Sequence, residues 1–211
     1  MTEPIEPIRL ASSYKTQTAQ MLARAFLVDP AYTALFPDSA EREQALQGLF
    51  SAVVGYSLVY GLVHTTPAVE GAACWLSPGN TEVTLWRILR TGLGLQRAVA
   101  RFNPRARQEF LAALAYMDEI HKQKAPEPHW YLWALGVEPS RQGRGIGGSL
   151  IEPVLTQADK TGLPCYLETQ TERNVTFYQK RGFEVVSDGV VPGQEVRIWM
   201  MLREPQRAVG S

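Results

Sequence analysis

Two cysteines, Cys74 and Cys165, are the only thiols in 211 residues, and each stands alone in an apolar run. That argues against a disulfide framework and for buried thiols in a reducing compartment. The three histidines, His64, His121 and His129, show no metal-ligand spacing, so no metal is expected and a structural role is expected for each. Charge of neither sign is in excess, 21 basic residues against 21 acidic. Nothing therefore points to nucleic acid or an anionic membrane as partner. The longest apolar run, 49–63, is broken by Ser51, Gly55, Ser57 and Gly61. It falls short of the roughly 20 residues that a membrane span needs. Residues 1–7 lack the basic start and apolar core of a secretory signal. There is no internal repeat and no low-complexity tract. The expectation is a cytoplasmic protein.

What is present suits one ordinary domain over residues 1–211, 45% apolar and 20% charged. Residues 7–11 read as a short strand. Ser12 or Ser13 then caps a helix that Asp29-Pro30 stops. Residues 31–38 read as a loop and Ser39 as the cap of a second helix, with Glu41 and Glu43 in its first turn. Two strands follow, 62–66 and 71–76, turning at Pro67. Residues 81–123 read as two helices divided at Asn103-Pro104. Residues 125–128 are a stiff connector into a strand at 130–137. After it come a turn, a helix to Thr161, a strand at 164–169, a short helix at 174–181 ended by Gly182, and two closing strands. This is a mixed α/β chain.

The turn at 141–148 is the richest signal. Strand, glycine-rich turn and helix together hold phosphate, because glycines let the backbone approach and a helix N-terminus offers unpaired N–H groups. Gly143-x-Gly145-x-x-Gly148 satisfies the dinucleotide pattern, and Glu168 lies 20 residues past Gly148. Two facts oppose that reading. Residues 138–142 separate the strand from the first glycine, and only about 40 residues follow Glu168, too few to finish a doubly wound sheet. No lysine follows the glycines, which excludes a triphosphate P-loop.

The rival reading is Gln142-x-x-Gly145-x-Gly147, preceded by Arg141. With Val137-x-Pro139 before it and Phe177-Tyr178-x-x-x-Gly182-Phe183 after it, it resembles the acetyl-CoA signature of the GNAT N-acetyltransferase superfamily. Pro153 in the following helix narrows the match. So do Trp130-Tyr131-Leu132, Leu167-Glu168-Thr169, Arg173-Asn174-x-x-Phe177-Tyr178 and Trp199-x-Met201. These are similar to the puromycin N-acetyltransferase branch. One position departs: where the common pattern has Asn seven residues before the tyrosine, this chain has Thr171, and Asn174 lies four before it.

The resemblance implies a GNAT fold, a mixed sheet of six to seven strands flanked by helices. A two-helix insertion over 77–127 would precede the cofactor-binding strand. It implies acetyl-CoA as co-substrate, cradled by backbone amides of Gln142, Gly143, Arg144, Gly145, Ile146, Gly147 and Gly148, with charge from Arg141 and Arg144. Leu135, Gly136 and Val137 would offer backbone to the pantetheine and to the oxyanion, where the family's strand splays from its neighbour. Gly136 would suit a bulge there. Asn174 would touch the pantetheine arm, and Tyr178 would be the general acid. Glu168 is the candidate base, or else it pairs with Arg173 or Arg181. Trp86, Phe102, Phe110, Tyr116 and residues 29–38 are candidates for an acceptor pocket. The arginines at 87, 90, 97, 101, 105 and 107 read as a solvated face or a contact for a phosphate. The expected partner is a small-molecule primary amine, met by a monomer or homodimer. Two other readings stay open: a CoA-binding sensor without catalysis, and acetylation of a protein or peptide amine.

Overall fold

A computed structural model describes residues 6–125 and 128–206. The first five residues and Pro126-Glu127 of the connector lie outside the described residues. Seven strands form one sheet in the order β1-β2-β3-β4-β5-β7-β6. They are β1 (Ile8–Arg9), β2 (Gly61–Thr65), β3 (Gly71–Leu76), β4 (Trp130–Val137), β5 (Cys165–Thr169), β6 (Glu184–Val190) and β7 (Arg197–Arg203). Only β4 and β5 run parallel; every other pair is antiparallel. The mixed α/β sheet flanked by helices is the architecture that the sequence leads one to expect.

Helices cover both faces. On one face lie α1 (Lys15–Ala25) and α3 (Ser39–Tyr60), whose Leu22, Leu46, Phe50 and Val54 pack with Val63, Cys74 and Ala134 of the sheet. On the other lies α7 (Ile146–Thr161), where Leu150, Ile151, Val154 and Leu155 meet Trp75, Trp130 and Leu132. Helix α6 (Pro104–Lys124) covers the second half of the sheet, with Ala113 buried among Tyr166, Ile198 and Met200. No helix among the described residues is long and apolar enough to cross a membrane.

Several local expectations change. Asp29-Pro30 does not stop α1, which ends at Ala25; it starts α2 (Pro30–Leu35). Asp29 accepts a hydrogen bond from the Ala31 amide, and Pro30 takes the first helical position, where its missing N–H costs nothing. Residues 31–38 are therefore not a plain loop. Neither Ser12 nor Ser13 caps α1, because a 3-10 turn over Ser12–Tyr14 leads into it. Asp38, not Ser39, caps α3 through the Glu41 amide. The segment before β4 holds three helices rather than two: α4 (Leu85–Arg90), α5 (Gly94–Ala100) and α6. Asn103 caps α6 as the Asn-Pro pair suggests. Helix α7 runs on through Pro153.

Candidate active site

The site begins with β4. Its pairing to β3 extends from Val137 back to Tyr131, but its pairing to β5 stops at Leu132↔Leu167. From Trp133 onward the β5-facing edge of β4 has no strand neighbour, so the sheet is split there. The register slips between Cys74↔Ala134 and Trp75↔Leu132, which makes Trp133 the bulged residue. Trp133 and Ala134 consequently face the same side, with Leu135 and Val137 on the α7 side. Gly136 is not the bulge. It pairs with Ala72, and a Cβ there would come within 2.7 Å of Leu22 Cδ2 and 3.1 Å of Ala25 Cβ. Its role is to let α1 lie against the strand.

Beyond β4 the chain makes a 3-10 turn and enters α7 through Gly143 and Gly145, at φ of 77° and 83°. Both are left-handed positions that favour glycine, and a Cβ at either would meet nothing within 4 Å. Among the described residues no backbone carbonyl makes a well-formed hydrogen bond to the amides from Gly143 to Gly147; the first so paired are Gly148 and Ser149, both bonded to the Gly145 carbonyl. Amides left open in this way at a turn on a helix N-terminus fit a pyrophosphate. Gln142 closes the turn by donating its side-chain N–H to the Val137 carbonyl. Arg141 sits 2.9 Å from Glu70 and so braces the turn against the β2–β3 connection. Arg144 is exposed and makes no ion pair with a described residue. Gly147 and Gly148 have a packing reason as well. Phe177 lies 3.5 Å from a Cβ at Gly147, and the Arg181 guanidinium occupies the space of a Cβ at Gly148.

Helix α8 (Glu172–Gln179) brings up Asn174 and Tyr178. Thr171, at the family's usual asparagine position, caps this helix through the Asn174 amide. Tyr178 is buried between Phe177 and Phe183, and burial pushes its phenol above the usual range. Arg181 lies over the Phe177 ring at 3.7 Å and donates to the Phe177 carbonyl.

A cavity of about 750 Å³ joins these residues to the helical segment before β4. Leu135, Glu168, Asn174 and Tyr178 line it from the sheet and α8; Asp29, Tyr32, Phe50, Phe110, Leu114 and His121 line it from the helices. Gly136, Val137 and the turn at 141–148 lie outside its wall, at the end of β4. Trp86, Phe102 and Tyr116 do not line it, and Trp86 is exposed.

Glu168 is paired with neither Arg173 nor Arg181. Its Oε2 accepts a 2.8 Å hydrogen bond from the Tyr131 hydroxyl. Burial pushes its carboxyl up to about 7, against the pull of that hydrogen bond. Tyr131 carries no functional signal in the sequence, because its hydroxyl is indistinguishable from that of any strand tyrosine before the fold places it beside β5. His121, for which a structural role is expected, also lines the cavity. Its ring is stacked on Tyr166, 10° from parallel at 4.3 Å, and its Nε2 lies 2.8 Å from that of His129. Burial, followed by His129, lowers His121 to about 4. The thiols of Cys74 and Cys165 are buried and pushed up to about 12, which disfavours either as an acyl carrier. Among the described residues no group of three or more His, Cys, Asp or Glu is placed to hold a metal.

Residues 95–183 match the acetyltransferase (GNAT) family. An uncharacterized N-acetyltransferase of Schizosaccharomyces pombe is 30% identical over 203 residues, covering 93% of this chain and 81% of that one. The chain belongs to the GNAT acetyltransferase family. Solved structures agree on the fold. A Corynebacterium glutamicum protein described as histone acetyltransferase HPA2 and related acetyltransferase has a TM-score of 0.64 at 21% identity, covering 97% of this chain and 98% of that one. Arylalkylamine N-acetyltransferase 2 of Aedes aegypti has a TM-score of 0.62 at 13% identity, covering 95% and 99%. GNAT-fold proteins use acetyl-CoA as co-substrate, which supplies the activated acetyl thioester.

Proposed function

We propose that this acetyltransferase moves an acetyl group directly from acetyl-CoA to a primary amine of a small molecule. One observation carries the reading. A carboxylate that titrates near 7, Glu168, and a protonated phenol, Tyr178, line one cavity beside the split between β4 and β5. The amides from Gly143 to Gly147 hold the pyrophosphate, and the free edge of β4 from Trp133 to Val137 receives the pantetheine arm. A backbone N–H at Leu135, Gly136 or Val137, on the edge of β4 that faces away from β3, bonds the developing oxyanion. Glu168, as carboxylate, takes a proton from the acceptor ammonium, so that the amine is neutral when it attacks. Tyr178 keeps its proton at neutral pH and gives it to the departing thiolate. Asn174 contacts the pantetheine arm.

The cavity supports a small acceptor over a protein surface, because helices α2, α3, α5 and α6 wall it on the side away from the sheet. The motifs shared with the puromycin N-acetyltransferase branch favour an antibiotic- or aminonucleoside-like amine within that class. The single domain over 1–211 would act in the cytoplasm as a monomer or homodimer.

Thiol release from acetyl-CoA, measured across aminonucleosides, aminoglycosides, polyamines and peptides, tests the reading. Release with at least one small amine is expected. Release with peptides alone would shift the acceptor to protein, and release with none would leave a CoA-binding sensor.

A further inference from the structure

We infer that Asp29 anchors a positively charged group which the acceptor carries in addition to the amine that is acetylated. The inference rests on the small-amine reading and names its substrate class: an amine bearing a second organic cation.

Asp29 stands in the wall of the cavity that also holds Glu168 and Tyr178. Its carboxylate is half-buried, yet the partner it bonds is a neutral one, the Ala31 amide at 3.0 Å. No Lys, Arg or His among the described residues pairs with it; the influences on its titration are burial and the backbone amides of Ala31 and Tyr32. The N-terminus of α2 favours a negative charge, but the cap does not require one. Asn and Ser cap a helix as well as Asp does, without the desolvation cost of a buried carboxylate. Burial indeed pushes Asp29 up to about 6, the direction expected of a negative charge left without a counterion.

What lines the cavity together with Asp29 points to an organic cation. Phe26, Tyr32 and Phe50 line the same cavity. Their rings touch one another, with centroids 6.1 Å apart for Phe26–Tyr32, 4.8 Å for Phe26–Phe50 and 6.1 Å for Tyr32–Phe50. Aromatic faces attract ammonium and amidinium groups, most strongly where water is excluded. The cavity's own cations do not meet this need. Lys122 is 2.7 Å from Asp118, and Arg107 lies at an exposed position on α6.

The test uses the full-length protein and two probes of equal shape that cannot replace the acetyl acceptor, cationic benzamidine and neutral benzamide. Binding is followed by titration calorimetry in the presence of CoA. Benzamidine should bind the wild type about ten-fold tighter than benzamide. That preference should fall to about two-fold or less in Asp29→Asn, which keeps the cap, and should persist in Glu168→Gln. In turnover, kcat/KM for 1,6-diaminohexane relative to hexylamine should drop by a similar factor in Asp29→Asn. Equal binding of the two probes by the wild type overturns the inference. So does a benzamidine preference that survives Asp29→Asn. If benzamidine binds through Asp29 while no amine is acetylated, the acetyl-transfer reading falls and the cation site stands.

Discussion

The burial that would suit Glu168 to act as a base near neutral pH comes at the expense of stability. Its carboxyl titrates near 7 because burial disfavours the charge, so kcat/KM should climb as pH rises through about 7. The Tyr131 hydroxyl donates to the charged form and opposes that shift. In Tyr131→Phe the rising limb should therefore move to higher pH, by about one unit; an unmoved limb would take Tyr131 out of the base's environment. The same shift has a consequence for folding. The folded value lies above the unfolded value of about 4.3, so the native state holds the proton more tightly. No penalty exists below about pH 4, and it is complete above about pH 7. Glu168→Gln should thus be more stable than wild type to urea at pH 8, by on the order of 1–3 kcal/mol, with little gain at pH 4. It should also lose about 10²-fold in kcat. Tyr178 makes a contrasting case, because burial raises its phenol and keeps the proton in place at neutral pH. Tyr178→Phe should lower kcat by about 10²-fold and change the KM for acetyl-CoA little. Equal losses in both would make Tyr178 a binding residue and not the general acid.

At the scale of elements, the succession of strands and helices along the chain was legible where a short apolar run stands between glycines and prolines, as in β3 and β4. The glycine turn was legible because its spacing admits few backbones. Three features were hidden for physical reasons. Asp29-Pro30 serves equally to stop one helix or to start the next, and only tertiary packing decides. Trp130-Tyr131-Leu132-Trp133 is apolar at every position, so no break in alternation reveals the bulge at Trp133. A glycine beside that bulge suits a bend or a close approach, and Gly136 proves to be the latter. That last point can be checked. In Gly136→Ala the new methyl would press on Leu22, Ala25 and Phe26 of the α1 region, at a cost of about 1–3 kcal/mol. Thermal unfolding should show a melting temperature lower by roughly 5 °C. An unchanged melting temperature would mean that α1 does not lie against β4 as closely as 2.7 Å implies.

For the whole molecule, the question is what keeps the cradle on α7 and the tyrosine on α8 in register, since the two helices belong to different crossovers. Arg203 at the end of β7 does this. Its Nη1 and Nη2 donate to the two oxygens of Asp159 on α7, at 2.7 and 2.8 Å, and its Nε donates to the Arg181 carbonyl just past α8 at 2.9 Å. The guanidinium is 4% exposed and the Asp159 carboxylate 26%, so the pair is shielded enough to matter and the loss of one partner strands the other. Arg203→Met, which keeps the apolar stem, should cost about 2–3 kcal/mol in urea unfolding at pH 7. The pH dependence identifies the cause. Arg203 holds Asp159 below the usual carboxylate range, chiefly through their hydrogen bonds. That contribution is present above the unfolded value of about 3.9 and is lost as pH falls through the lower folded value. The gap between wild type and Arg203→Met should therefore narrow at pH 3, leaving the share owed to the Arg181 carbonyl and to packing. A gap of the same size at both pH values would show that Arg203 holds the helices together without its charge.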